Sequence, residues 1–138
     1  MRRAKHVGMG ALLVALIAYA CASLLSHVHS AWLLSAYPNL PSSLSVFSVY
    51  AAWAAVSAVG LVGYLLLRQR YLAPGLIALG IYGACGLDGL VHYAVAEFSA
   101  HPPIMHALIL LEAITGVVLI GLTIATAVHS KRVRMMRS

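Results

Sequence analysis

The chain has 138 residues, of which 62% are hydrophobic and only 9% are charged. Soluble domains carry about 25% charged residues, so this composition excludes an ordinary water-soluble fold. The net charge of +6 does not indicate nucleic-acid binding, because the nine Lys and Arg residues form three short clusters beside apolar runs. That placement is typical of membrane topology and of contact with the lipid bilayer.

Four uncharged or nearly uncharged runs predict four transmembrane helices. A run of about 20 apolar residues crosses the hydrocarbon layer of roughly 30 Å as a helix. The predicted helices cover residues 7–26, 44–67, 74–95 and 104–128. We expect a single domain over residues 1–138, an all-α polytopic membrane protein folded as an antiparallel four-helix bundle.

The basic clusters predict the orientation of this bundle. They precede the first helix, separate the second from the third, and follow the fourth: Arg2, Arg3, Lys5, Arg68, Arg70, Lys131, Arg132, Arg134 and Arg137. The connections at residues 27–43 and 96–103 contain no Lys or Arg. The positive-inside rule then predicts an N-in/C-in topology with these two connections outside the cytoplasm. The high Ala and Leu content and the short loops favour a bacterial inner membrane.

Smaller features complete the predicted architecture. Trp32 and Tyr37 suit a segment lying on the membrane surface, with Pro38 and Pro41 in turns. Cys21 and Cys85 lack the spacing of metal ligands and are expected to be small buried apolar residues. Small residues recur at steps of three and four on the first and third helices and predict close helix contact: Ala11, Ala15, Ala18, Ala22, Gly80, Gly83, Gly86 and Gly89.

The polar side chains gather in the hairpin of the third and fourth predicted helices. All three acidic residues, Asp88, Glu97 and Glu112, lie there, together with His92, His101 and His106. His27 and His29 end the first predicted helix on the same side. Four residues apart, Asp88 and His92 would share one helix face. At 1.5 Å per residue, Asp88 and Glu112 lie about 15 and 13 Å from the outer turn, at matching depth.

Two facing carboxylates inside a membrane require compensation. Each charged carboxylate costs at least about 2.5 to 3.5 kcal/mol near the bilayer centre, so a proton or a cation should neutralise one of them. A transition metal (copper, zinc or iron) held by Asp88, His92 and Glu112 would do so. His106 or His27 would complete its ligand shell, and a proton-linked site is the other form of this hypothesis.

The spacing of Asp88, His92 and His106 is D-x3-H-x13-H. It resembles the copper-ligand pattern in a transmembrane subunit of copper membrane monooxygenases, where the second gap is one residue shorter. The resemblance is confined to residues 88–106. It implies a copper site made by these three side chains.

Other interpretations stay open. The cluster is also compatible with a structural polar network, with quinone-linked redox chemistry, and with haem bound by His92 and His27. The chain could equally be a non-catalytic accessory subunit of a larger membrane complex, a self-associating protein, or an intramembrane enzyme with Asp88 and Glu112 as acid and base. Glu97 and His101 are expected to be solvated in the loop.

Overall fold

The computed structural model describes residues 2–36 and 43–136, and these ranges are entirely helices and their connections. The α-helices are α1 (Arg2–Trp32), α2 (Val46–Arg68), α3 (Leu72–Cys85), α4 (His92–Val95) and α5 (Pro103–Met135). Single 3-10 turns lie at Leu34–Ala36, Asp88–Val91 and Phe98–Ala100. Tyr37, Pro38 and Pro41, which the sequence assigns to the membrane surface and to turns, lie outside the described residues.

Four helical stretches are long and apolar enough to cross a membrane: Met9–Trp32, Val46–Arg68, Leu72–Ala94 and Pro103–Met135. The prediction of an all-helical chain with four such stretches is thus confirmed. Two of the helices extend beyond the predicted runs, since α1 continues to Trp32 and α5 to Met135. The apolar runs mark only the part that matches hydrocarbon, whereas a helix continues wherever its backbone hydrogen bonds do. The extension of α1 brings His27 and His29 into the helix.

The third membrane-spanning stretch is not the continuous helix predicted over residues 74–95. The α-helical conformation ends at Cys85, continues as the 3-10 turn Asp88–Val91, and resumes briefly in α4. Gly86 lies at the break, where a Cβ would be 2.7 Å from Cε2 of Tyr19 and 3.0 Å from the Glu112 carbonyl oxygen. Irregular backbone at membrane depth is tolerated where it lines a cavity, and this segment does so.

The helices pack in a closed circuit, because α1 and α3 each contact both α2 and α5. The largest apolar core lies among them and consists of Leu12, Ala15, Tyr19, Leu67, Leu76, Leu79, Tyr82 and Leu119. The Tyr19 and Tyr82 rings meet edge to face, with centroids 4.6 Å apart. Tyr19 is 0% exposed and lies directly beneath the polar site described below.

Close helix approach is confirmed on α3. A Cβ on Gly83 would be 2.9 Å from the Gly116 carbonyl oxygen, and a Cβ on Gly116 would be 2.5 Å from the Gly83 carbonyl oxygen. The backbones of α3 and α5 therefore touch at this crossing, as small residues permit in lipid. On α1 only half of the alanine series is buried, because Ala11 and Ala18 are exposed.

The prediction that both cysteines are buried is wrong. Cys21 is exposed on α1, and Cys85 is partly buried at the end of α3. An apolar residue type does not distinguish the two faces of a membrane helix, since lipid and protein core both accept it. Burial here was decided by which face of α1 meets its neighbours.

Candidate functional site

A cavity of about 220 Å³ lies among α1, α2, α5 and the broken segment that follows α3. Its polar lining includes Ser23, Ser26, His27, Ser30, Asp88, His92 and Glu112. Four of the five predicted site residues, Asp88, His92, Glu112 and His27, are therefore brought to one cavity. His106 does not line it.

Glu112 is the more deeply enclosed of the two carboxylates that line this cavity. The residue is 5% exposed, one helical turn before the contact between Gly83 and Gly116. The hydroxyl groups of Ser23 and Ser26 act as hydrogen-bond donors to its carboxylate. A buried carboxylate is stable only where hydrogen-bond donors or opposite charges lie next to it. For Glu112 of α5, these donors come from α1.

His27 supplies the third partner of Glu112. Its Nδ1 donates a hydrogen bond to the backbone carbonyl oxygen of Ser23, one turn earlier on α1, at 2.8 Å. The same nitrogen lies 3.9 Å from Oε1 of Glu112. The imidazole is thus oriented by its own helix, and it faces the carboxylate as an ion-pair partner when it carries a second proton.

Asp88 and His92 line the same cavity, although not for the reason the sequence indicated. They were expected to share one face of a regular helix. Instead Asp88 begins the 3-10 turn and His92 begins α4. Residues four apart do not eclipse in 3-10 geometry, so the break in the third span, and not α-helical periodicity, sets where these residues lie. Asp88 is more exposed than Glu112.

His106 belongs to a separate aromatic cluster at the start of α5. Its Nδ1 is hydrogen-bonded to the Tyr93 hydroxyl at 2.9 Å. Its ring stacks on Phe98, with centroids 3.8 Å apart, and on Tyr93, with centroids 5.5 Å apart. The three side chains of the copper-like pattern, Asp88, His92 and His106, are consequently divided between this cluster and the cavity.

His101 corrects another expectation. It was predicted to be solvated, but it is 5% exposed and its Nδ1 donates to the Glu97 carbonyl oxygen at 2.9 Å. Its ring lies 5.5 Å from that of Tyr93 and 6.3 Å from that of His92, centroid to centroid. The loop thus turns back over the bundle. Glu97 itself is exposed, as predicted.

Metal and haem binding place different demands on this cavity. Over residues 2–36 and 43–136, no three His, Cys, Asp or Glu side chains are grouped so as to hold a metal ion. Four donors share a cavity without converging on one point. For haem, a cavity of about 220 Å³ is smaller than the roughly 300–1,000 Å³ that drug-sized ligands occupy.

The sequence predicted His27 as the site residue from α1 but not the serines of the same helix. Tyr19, Ser23, Ser26 and Ser30 line the cavity and follow one another at steps of four, three and four residues. Such steps place side chains on one helix face. This polar stripe in an apolar helix indicates that α1 faces a polar site.

Comparison of the chain with family models, with curated proteins and with solved structures finds no match in any of the three.

Proposed function

We propose that this protein is an integral membrane protein of the bacterial inner membrane, an antiparallel N-in/C-in bundle whose outer-half cavity is a proton-linked site. Glu112 is the group that takes up and releases the proton. The observation that carries this proposal is the contact of 3.9 Å between Oε1 of Glu112 and Nδ1 of His27 at the wall of the cavity.

The surroundings of Glu112 are compatible with both its charged and its protonated form. A charged Glu112 receives hydrogen bonds from Ser23 and Ser26 and attraction from a protonated His27. A protonated Glu112 instead needs no countercharge, and it matches its low exposure and the apolar core below it. Because neither state leaves an uncompensated buried charge, a proton moves in or out without loss of the fold.

The cavity gives water access to Glu112 and brings a second acidic residue, Asp88, to the same site. A volume of about 220 Å³ has room for water molecules, each of which takes about 30 Å³ in the liquid. Asp88 lines the same cavity and is more exposed than Glu112. Two carboxylates on one cavity suit a site that accepts protons from one side of the membrane.

A transition metal is the second candidate occupant, because Asp88, His92, Glu112 and His27 all line the cavity. These are ligands that suit copper, zinc or iron. Binding would require the side chains to converge from their positions in this structure. His106 does not line this cavity, and its Nδ1 is hydrogen-bonded to the Tyr93 hydroxyl.

Infrared difference spectroscopy of the purified protein tests the proposal. Titration with acid should produce a protonated-carboxyl stretch that Glu112→Gln abolishes. Glu97→Gln is the matched control, because it removes the same group from an exposed position in the same hairpin, and it should leave that band in place. A spectrum in which Glu112→Gln changes nothing overturns the proposal. A stoichiometric metal, lost in Asp88→Asn, would favour the second candidate instead.

A further inference from the structure

A second cavity lies at the opposite end of the helices, between the start of α3 and the end of α5. Its volume is about 170 Å³ and its wall is almost wholly apolar, formed by Leu72, Ala73, Leu76 and Ala127. Ser130 and two basic side chains, Lys131 and Arg134, complete the lining. An apolar floor with a cationic rim is a combination that a purely structural crevice does not require.

The cationic rim has no acidic partner in the chain's own side chains. The three acidic residues all lie within residues 88–112. The nearest of them along α5, Glu112, precedes Lys131 by 19 residues, or about 28 Å of helix. Lys131 and Arg134 are three residues apart and are neighbours on the helix surface. Both are exposed, so an external anion reaches two adjacent cations at once.

We propose that this cavity binds one anionic phospholipid. The phosphate lies between Lys131 and Arg134, and the first part of an acyl chain lies on the floor formed by Leu72, Leu76 and Ala127. The charge complementarity of the rim selects an anionic headgroup, and the apolar floor selects a lipid over a free phosphate ion. Basic pockets between membrane helices are a recurrent form of lipid recognition. This inference does not depend on the proton-linked role of Glu112.

Native mass spectrometry after reconstitution with phosphatidylglycerol or phosphatidylethanolamine tests this site. The wild-type protein should retain one phosphatidylglycerol in preference to phosphatidylethanolamine. The double variant Lys131→Gln/Arg134→Gln should bind phosphatidylglycerol about twenty-five-fold more weakly, since each basic residue near an anionic lipid contributes about fivefold. The matched control is Arg68→Gln/Arg70→Gln, which removes two charges from the end of α2 and the connection that follows it, and neither residue lines the cavity.

A third variant tests the role of the apolar floor separately from the role of the two charges. Ala127→Trp keeps both cations and fills the floor, so it should also reduce retention of phosphatidylglycerol. Equal loss of lipid in the two charge-removing variants would overturn the proposal, because it would mean diffuse attraction to basic residues. Displacement of the lipid by inorganic phosphate, or the same retention in Ala127→Trp as in the wild type, would overturn the role of the apolar floor.

Discussion

Oε1 of Glu112 lies 3.9 Å from Nδ1 of His27, and this contact joins the fourth membrane-spanning helix to an extension of the first. The same His27 nitrogen is held by the Ser23 carbonyl oxygen at 2.8 Å. Ser23 therefore contacts both members of the pair, since its hydroxyl is a donor to Glu112. One turn of α1 therefore supplies contacts to Glu112 through both Ser23 and His27.

Removing the Ser23 hydroxyl should destabilise the protein. Ser23→Ala deletes a donor to Glu112 at a serine that is 1% exposed. We expect a loss of about 1–2 kcal/mol, the range for a hydrogen bond to a charged or buried acceptor. The measurement is thermal unfolding in detergent. Ser99→Ala, at an exposed position, is the control and should leave the unfolding temperature unchanged; equal effects would contradict the assigned contact.

The crossing of α3 and α5 should not tolerate a methyl group. Gly116→Ala places a Cβ 2.5 Å from the Gly83 carbonyl oxygen, and backbone must move to admit it. We expect destabilisation of about 1–3 kcal/mol, as for other overpacked interiors, measured by the loss of folded protein on heating.

Gly121→Ala is the matched control for this crossing. It lies on the same helix and has no atom within 4 Å of its added Cβ. We expect it to be neutral or to stabilise α5 by up to about 1 kcal/mol through helix propensity. Greater damage from Gly121→Ala than from Gly116→Ala would show that the helices do not cross where the structure places them.

The aromatic cluster should be separable from the proton-linked cavity. Tyr93→Phe removes the hydroxyl bonded to His106 and should cost about 0.5–1.5 kcal/mol of stability. The acid-induced carboxyl band assigned to Glu112 should persist, because neither residue lines the cavity. Tyr71→Phe, at an exposed tyrosine, controls for loss of a hydroxyl. Disappearance of the band in Tyr93→Phe would show that the aromatic cluster and the Glu112 cavity act as one site.

The N-in/C-in topology can be tested by labelling single cysteines. In a Cys21→Ser/Cys85→Ser background, Ser99→Cys and Gln69→Cys both place a thiol at an exposed position in a connection between spans. An impermeant maleimide should label Ser99→Cys in intact cells. It should label Gln69→Cys only after the membrane is opened. The reverse pattern would invert the orientation and place the Glu112 cavity on the cytoplasmic side.

Hydropathy and charge were sufficient to predict the coarse architecture and part of the candidate site. Four long apolar runs must become helices in a membrane, because no other open structure satisfies the backbone there. The gathering of Asp88, His92 and Glu112 was foreseeable for the same reason, since their depths follow from counting residues along helices. The break after Cys85 was not foreseeable by counting. At this break Gly86 packs against the ring of Tyr19 and the backbone of α5, which are contacts of the tertiary structure.

What the amino-acid sequence determined by itself is the number of spans and the end of the molecule at which acids and histidines gather. Only the tertiary structure decided which of these side chains share a cavity. It placed His27 beside Glu112, withdrew His106 into the Tyr93 cluster, buried His101 and exposed Cys21. The physical reason is that lipid and protein core both accept apolar side chains. The inward face of each helix is therefore set by its packing against the other helices, and hydropathy does not predict it.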